Sequence, residues 1–155
     1  MRLSHNKDLY EELFMEIARM HDEVDYRRHL NAYRGQKGKR KYYPAVSVGA
    51  ELGFAKEVGH HHSESQERDF HPLVFQELTN RLGNLNEHGA NYPVCKNLVG
   101  HCAENYAATK VLNRIDPQGN TNNSGVLSNL AFTKAFQPRT WKNIEWCANC
   151  HTMFD

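Results

Sequence analysis

Apolar residues recur at steps of three and four near the start of the chain, which is the spacing of one face of an α-helix. The recurring positions are Leu9, Leu13, Ile17, Met20 and Val24. Asp8 and Glu11 have the spacing of a capping-box pair, in which two side chains bond the free backbone N–H groups at a helix start. We therefore predict an amphipathic helix over residues 8–30, within an N-terminal part of about 1–32.

The helical periodicity gives way to alternation after a basic, glycine-broken segment at residues 34–41. Residues 42–52 and 53–58 alternate β-branched or aromatic side chains with small or polar ones around Gly53, which predicts a β-hairpin. A further strand is expected within 126–136, and residues 83–94 have the composition of a loop. The chain should therefore contain a sheet as well as helices.

Start and stop signals indicate two more helices. The first begins near Pro72 and ends before Gly83, with apolar residues at helical spacing between them. The second runs over 103–115, begins directly after a cysteine, and is ended by Asp116 and Pro117. The whole pattern predicts an α/β fold.

Composition limits the class of protein. The chain has 155 residues, of which 39% are hydrophobic and 24% charged, so we expect a single folded domain over 1–155. Lys and Arg number 19 against 18 Asp and Glu, and the net charge of +1 provides no overall attraction for nucleic acid or an anionic membrane. No stretch approaches the roughly 20 apolar residues of a membrane span, and the N-terminus lacks the apolar core of a signal peptide. We expect a soluble protein without a membrane partner.

Without an export signal, the four cysteines are better explained as metal ligands, nucleophiles or core residues than as disulfides. Cys147 and Cys150 form a C-x-x-C pair, a spacing that lets two thiolates converge on one Zn²⁺. Cys102 begins a predicted helix and is followed by Glu104. Three thiolates leave a fourth zinc position open for water, which is typical of a catalytic site, and Glu104 would lie beside that water.

These motifs resemble those of the zinc-dependent cytidine deaminase superfamily, in which [HC]-x-E is followed by C-x-x-C. Further segments make the chain similar to the YwqJ-type deaminase domains of bacterial polymorphic toxins, over about residues 44–150. The matching segments are, in chain order, Pro44-Ala45-Val46-Ser47-Val48-Gly49-Ala50, His71-Pro72-Leu73, His101-Cys102-Ala103-Glu104-Asn105, Pro138-Arg139-Thr140 and Cys147-Ala148-Asn149-Cys150. Trp146 stands where the superfamily usually has proline.

The resemblance implies a cytidine deaminase-like fold, with a mixed β-sheet and helices on its faces and a catalytic core over about 44–150. It implies that Cys102, Cys147 and Cys150 bind Zn²⁺ and that Glu104 moves protons while water replaces the amino group of a nucleobase. The implied substrate is cytosine in single-stranded DNA or RNA, converted to uracil. The implied role is that of a toxin effector domain that acts in the cytoplasm, with the cytoplasm of a target cell after delivery as one alternative, and that is held by a cognate immunity protein. The chain ends five residues after Cys150, as expected of a minimal branch or a clipped chain.

Several alternatives stay open at this level. Cys95 could complete a structural site of four thiolates, which would make the protein a zinc-stabilised nucleic-acid-binding module without turnover. Free nucleosides or nucleotides could replace nucleic acid as the substrate. Cys147 to His151 also form a C-x-x-C-H motif, which occurs in zinc-bearing nucleases, and Glu87 and His88 could provide the acidic-histidine motif of such enzymes. A second C-x-x-C pair is missing from the sequence.

No substrate-binding side chain is assigned from the sequence. His101 lies three residues before Glu104, so it does not fit the ligand spacing and is expected in the pocket wall or as a helix cap. Trp141 and Trp146 could stack a base or simply surround the metal site. The histidines expected near the pocket mouth are His60, His61 and His62, and the basic-aromatic patch that could follow a phosphate backbone comprises Tyr33, Arg34, Lys37, Lys39, Arg40, Lys41, Tyr42 and Tyr43.

Overall fold

The computed structural model describes residues 1–29 and 42–155. The basic segment 34–41 and Tyr33 therefore lie outside the described residues. The helices are α1 (Lys7–His29), α2 (Pro72–Arg81), α3 (Ala103–Ile115), α4 (Gly125–Asn129) and α5 (Ala148–Phe154), with a 3₁₀ turn at Glu67–Asp69. The strands are β1 (Arg2–Leu3), β2 (Ser47–Leu52), β3 (Ala55–His60), β4 (Ala131–Phe132), β5 (Ala135–Gln137) and β6 (Lys142–Ile144).

The sheet is mixed and centres on β2. Strand β3 pairs with one edge of β2 as the predicted antiparallel hairpin, from Ser47 opposite His60 to Leu52 opposite Ala55. Strands β4 and β5 pair with β2 at different points, and they carry β1 and β6 on their outer edges. Only the β1–β4 pairing is parallel among the described strands. The prediction of an α/β fold with a mixed sheet is confirmed at this level.

Helices cover both faces of the hairpin, as predicted. Leu13 and Ile17 of α1 pack with Val58 on one face. Helix α3 packs on the other face, where Ala103 and Ala107 belong to the same core cluster as Val48. Because successive side chains of a strand point to opposite faces, this arrangement explains why residues 47–50 of β2 are all buried. None of the described helices is long and apolar enough to cross a membrane.

Helix α1 begins one residue earlier than predicted, and its cap differs from the prediction. The side-chain oxygen of Asn6 accepts hydrogen bonds from the backbone N–H groups of Asp8 (3.0 Å) and Leu9 (3.3 Å). The Glu51 carboxylate fixes this cap by accepting a bond from Asn6 Nδ2 at 2.7 Å. The predicted capping box of Asp8 and Glu11 is therefore wrong, because Asn6 already satisfies the free donors.

The two later helices match their predicted starts. His71 caps α2: its Nδ1 accepts from the Leu73 N–H at 3.1 Å, and its Nε2 lies 3.1 Å from the Asp116 carboxylate. Pro72 follows as the first helical residue, where its missing N–H costs nothing. Helix α3 begins directly after Cys102 and ends at Ile115, as predicted. These starts matter because α3 carries Cys102 and Glu104 into the centre of the molecule.

The strand expected within 126–136 is wrong in its first half and interrupted in its second. Residues 125–129 form α4, with a turn in which Asn123 bonds the Gly125 N–H through its side chain and the Val126 N–H through its carbonyl. Strands β4 and β5 are then separated by Thr133, whose hydroxyl accepts from the Gly49 N–H at 2.8 Å. This side-chain bond replaces a regular ladder bond of the sheet.

Candidate metal centre

Three cysteine sulfurs converge where α3 and α5 begin. Cys102 precedes α3, Cys147 precedes α5, and Cys150 lies in the first turn of α5. The Sγ of Cys147 is 3.4 Å from that of Cys102 and 3.5 Å from that of Cys150, and all three sulfurs lie within 4.8 Å of one another. Residues 45 positions apart in the chain thus form one cluster.

The donor set fits a metal ion with sulfur ligands. A tetrahedral zinc–sulfur bond of about 2.3 Å places two sulfurs about 3.8 Å apart, close to the spacing found here. All three cysteines are free thiols, Cys102 and Cys150 are buried, and Cys147 is partly exposed. The three predicted ligands can therefore hold a metal ion together.

Hydrogen bonds join the thiol of Cys147 to those of Cys102 and Cys150. Hydrogen bonds from Cys102 and Cys150 lower the pKa of Cys147. The same hydrogen bonding, with burial, raises the pKa of Cys102 and of Cys150 well above that of a free thiol. A cation bound among the three sulfurs would displace their protons.

Glu104 is placed beside the sulfurs in the first turn of α3. Its side chain is 4% exposed, and burial raises the pKa of this carboxyl to about 7. Glu104, Cys102 and Cys147 all line one cavity of about 110 Å³. The remaining wall of this cavity is formed by Ala45, Val46, Asn97, Ala103, Ala135, Ile144, Glu145 and His61. We call it the central cavity; a buried carboxyl and a thiol cluster face the same small space in it.

An amide network, which the sequence did not indicate, supports the cluster. Asn97 Nδ2 donates to Cys102 Sγ at 3.8 Å, and the Asn97 carbonyl accepts from Asn149 Nδ2 at 3.1 Å. Asn91 Nδ2 in turn donates to Asn149 Oδ1 at 3.1 Å and to the Thr152 hydroxyl at 2.8 Å. The network ties the loop before α3 to α5, so it fixes the sulfurs of both elements relative to one another.

Cys95 does not join the three sulfurs. It is buried and 5% exposed, and burial together with the neighbouring Cys147 raises the pKa of its thiol, but it is not part of the cysteine set that could hold a metal. Glu87 and His88, proposed for the nuclease alternative, are also not part of it: Glu87 accepts from Asn84, and the His88 ring packs on Tyr92 at 4.2 Å. Neither the four-thiolate nor the nuclease arrangement is assembled among the described residues.

The predicted histidines divide into one that lines the central cavity and three that do not. His61 lines it. His60 bonds Ser47 (2.7 Å) and Glu16 (2.8 Å), and the His62 ring packs on Tyr106 with centroids 4.1 Å apart. The prediction that His101 forms the pocket wall or a cap is wrong, since His101 bonds Asn86 at 2.9 Å and Cys102 occupies the cap position of α3.

Neither tryptophan lines the central cavity. Trp146 is half-buried against the core, and its indole N–H donates to the Thr133 carbonyl at 3.3 Å, as expected of the shell around a metal site. Trp141 stacks on His21 with centroids 5.5 Å apart and an interplanar angle of 12°. Stacking of a base in this cavity by either indole is therefore not supported by their positions.

Comparisons with known proteins give no match. No family model matches the chain, no curated protein matches it, and no solved structure matches it. The deaminase resemblance consequently stays a prediction from the motifs of this chain. What the structure establishes is an α/β fold whose Cys102, Cys147 and Cys150 could together hold a metal ion beside a buried carboxyl group.

Proposed function

We propose that the protein is a zinc-dependent hydrolytic deaminase of a nucleobase, with cytosine in single-stranded DNA or RNA as the substrate. The observation that carries the proposal is that Glu104 lines the same small cavity as Cys102 and Cys147, two members of the three-thiol cluster. In a structural zinc site four protein ligands fill the coordination shell, so a buried carboxyl group beside the ion would have no water to deprotonate. Here three cysteines would hold the ion, and a four-coordinate Zn²⁺ would then have one position left for water.

Cys102, Cys147 and Cys150 would hold the ion. Bound there, Zn²⁺ would supply the Lewis acidity that makes water nucleophilic near neutral pH. Glu104 has two tasks: its carboxylate accepts a proton from the attacking water, and its carboxylic acid returns protons to the ring nitrogen and to the departing amine. In balance, cytosine and water give uracil and ammonia, and Glu104 ends in the state in which it began.

The lining of the central cavity is suited to bind a nucleobase. The walls contributed by Ala45, Val46 and Ile144 are apolar, whereas Asn97 and Glu145 provide polar edges. A flat aromatic ring with polar substituents suits such a lining. We also propose that the protein is a toxin domain that acts in the cytoplasm and is held by an immunity protein. This part of the proposal rests on the motifs, whose order along the chain is similar to that in the deaminase domains of bacterial toxins.

The proposal is tested by substituting Glu104→Gln, which keeps the shape of the side chain and removes the proton acceptor. Wild-type protein is incubated with cytosine- and adenine-containing single-stranded DNA, duplex DNA, RNA and free nucleotides, and ammonia and product mass are measured. We expect turnover of one substrate class by the wild type and a loss of about 10²- to 10⁴-fold in Glu104→Gln, with zinc retained.

The matched control is Glu12→Gln, which makes the same change on the exposed side of α1 and should leave turnover intact. Bound zinc without deamination of any substrate would contradict the proposal and favour the zinc-stabilised nucleic-acid-binding module. Absence of zinc would contradict the assignment of the three ligands.

A further inference from the structure

Two larger cavities flank the central cavity, and all three share Ala45. One, of about 340 Å³, is lined by Tyr43, Pro44, Gln137 and Arg139 and lies towards β5. The other, of about 470 Å³, is lined by Tyr42, Tyr43, His61, His62 and Ser63 and lies beyond the end of β3. We call them the β5-side and β3-side cavities. Because Ala45 borders all three and His61 also borders the central and β3-side cavities, the three cavities adjoin one another, and we infer that they form one groove.

The size of the central cavity restricts what it can hold. Its volume of about 110 Å³ is well below the roughly 300–1,000 Å³ of sites that enclose a whole small molecule. A base can enter, but its sugar and phosphate must lie outside. Each flanking cavity falls within the range for a further group of that size. A single nucleotide would leave one flank of the groove without a ligand, whereas a strand would use both.

The β5-side cavity offers a phosphate site. Arg139 is half-buried in its wall, and no carboxylate pairs with it among the described residues. A guanidinium that is partly desolvated and has no acidic partner is suited to bind a phosphate oxygen pair. The wall is held in place from behind, since Tyr43 bonds His21 at 3.1 Å and His21 bonds the Pro138 carbonyl at 2.7 Å.

The β3-side cavity offers aromatic rings instead of charge. Burial lowers the pKa of His61 and of His62, so both rings are neutral at pH 7. Tyr42 and Tyr43 add two further rings to the same wall, and the Arg27 guanidinium lies 5.0 Å from the centroid of the Tyr42 ring. Neutral and aromatic rings stack on any base, and none of the described lining residues of either flanking cavity is acidic. The two flanks are thus compatible with a polyanion that crosses the site.

Resting on the proposed function, we propose that the substrate is a single strand of nucleic acid whose target base enters the central cavity. The nucleotide on one side lies against Arg139, and the nucleotide on the other side lies among the rings of the β3-side cavity. The groove therefore recognises at least three consecutive nucleotides. Both DNA and RNA suit the groove, since the features named here bind base faces and phosphates, which both polymers share.

The test is a length series of DNA and RNA oligonucleotides, from the mononucleotide to a nine-nucleotide strand with one central cytosine. We expect kcat/KM to rise about tenfold with each flanking nucleotide until the strand is three nucleotides long, and to stay constant for longer strands. Arg139→Gln should reduce kcat/KM about tenfold more for the trinucleotide than for the mononucleotide. Arg114→Gln makes the same change at the far end of α3 and should have no effect.

Binding is measured in parallel, by fluorescence anisotropy of labelled nine-nucleotide strands over a range of salt concentrations. Loss of one phosphate contact in Arg139→Gln should reduce the slope of log affinity against log salt by about 0.7. Turnover that is independent of length, or a salt slope unchanged by Arg139→Gln, would overturn the groove. Strand binding that depends on Arg139 without any deamination would retain the groove and contradict the proposed function instead.

Discussion

The contact between β3 and α3 is so close that Gly59 should not tolerate even one methyl group. A Cβ built at Gly59 lies 2.5 Å from the Ala103 carbonyl oxygen and 2.8 Å from Ala107 Cα, and closer still to the Ala107 amide nitrogen. All three atoms are backbone atoms of a helix, so they cannot rotate away. To reach an ordinary contact of 3.4 Å or more, strand and helix must separate by about 1 Å.

A separation of about 1 Å weakens the packing between β3 and α3. A gap of 0.5–1 Å forfeits a quarter to a half of each dispersion contact across it, and overpacking of a core costs about 1–3 kcal/mol. Because the obstruction is rigid, we expect Gly59→Ala to lower the free energy of unfolding by about 3 kcal/mol. The zinc affinity should fall as well, by about tenfold, since α3 carries Cys102 away from Cys147.

The assays are urea unfolding, with the midpoint and slope measured separately, and zinc competition with a chelator. Gly53→Ala is the matched control: Gly53 has a φ of +58° in the hairpin turn, and no atom lies within 4 Å of a built Cβ. Its cost should be the left-handed backbone strain alone, about 1 kcal/mol, with zinc affinity unchanged. A loss below 1 kcal/mol in Gly59→Ala would refute the close packing of β3 on α3.

Two further predictions concern the metal ligands and the outer face of the hairpin. Cys95→Ser should retain about one zinc per chain while Cys102→Ser loses it, because Cys95 lies outside the three-thiol set; equal loss in both would indicate a four-thiolate site. Glu16→Gln should lower the free energy of unfolding by about 1 kcal/mol at pH 7. Burial opposes the charged form of Glu16, but the His60 hydrogen bond and the charges of His60 and Lys110 outweigh it and lower its pKa from 4.5. A carboxyl whose pKa is lowered by folding stabilises the fold above its unfolded pKa, so the difference between Glu16→Gln and wild type should shrink as the pH falls below 4.5. A difference that stays constant down to pH 3 would contradict this role of Glu16.

Local patterns predicted the elements whose signals lie within a few residues of one another. Such signals predicted α1 from its apolar repeat and the β2–β3 hairpin from its alternation. They also predicted where α2 and α3 begin. The split between β4 and β5 was not, because it depends on a bond from Thr133 to Gly49, which is distant in the chain. The cap of α1 was misassigned for a similar reason, since Glu51 fixes Asn6 from the sheet.

The site shows the same division between local and long-range information. Cys102, Glu104, Cys147 and Cys150 could be predicted because their spacing places them at helix starts, and the structure brings the three sulfurs together. His61 was expected near the pocket mouth from its place after the hairpin, but Asn97 could not be predicted, because a loop amide has no periodic signature. The position of Ala45 between the cavities could not be predicted either, because it follows from the fold, which places three cavities around this residue.

The most direct test of the proposed deaminase is to follow cytosine-containing single-stranded DNA or RNA by mass spectrometry in isotopically labelled water, with zinc quantified on the same samples. Wild-type protein with about one zinc should convert cytosine to uracil that carries the labelled oxygen, and Glu104→Gln with the same zinc content should not. Equal product from both proteins, or no product from zinc-loaded wild type on any substrate, would contradict the assignment of Glu104 and its cavity as a catalytic site.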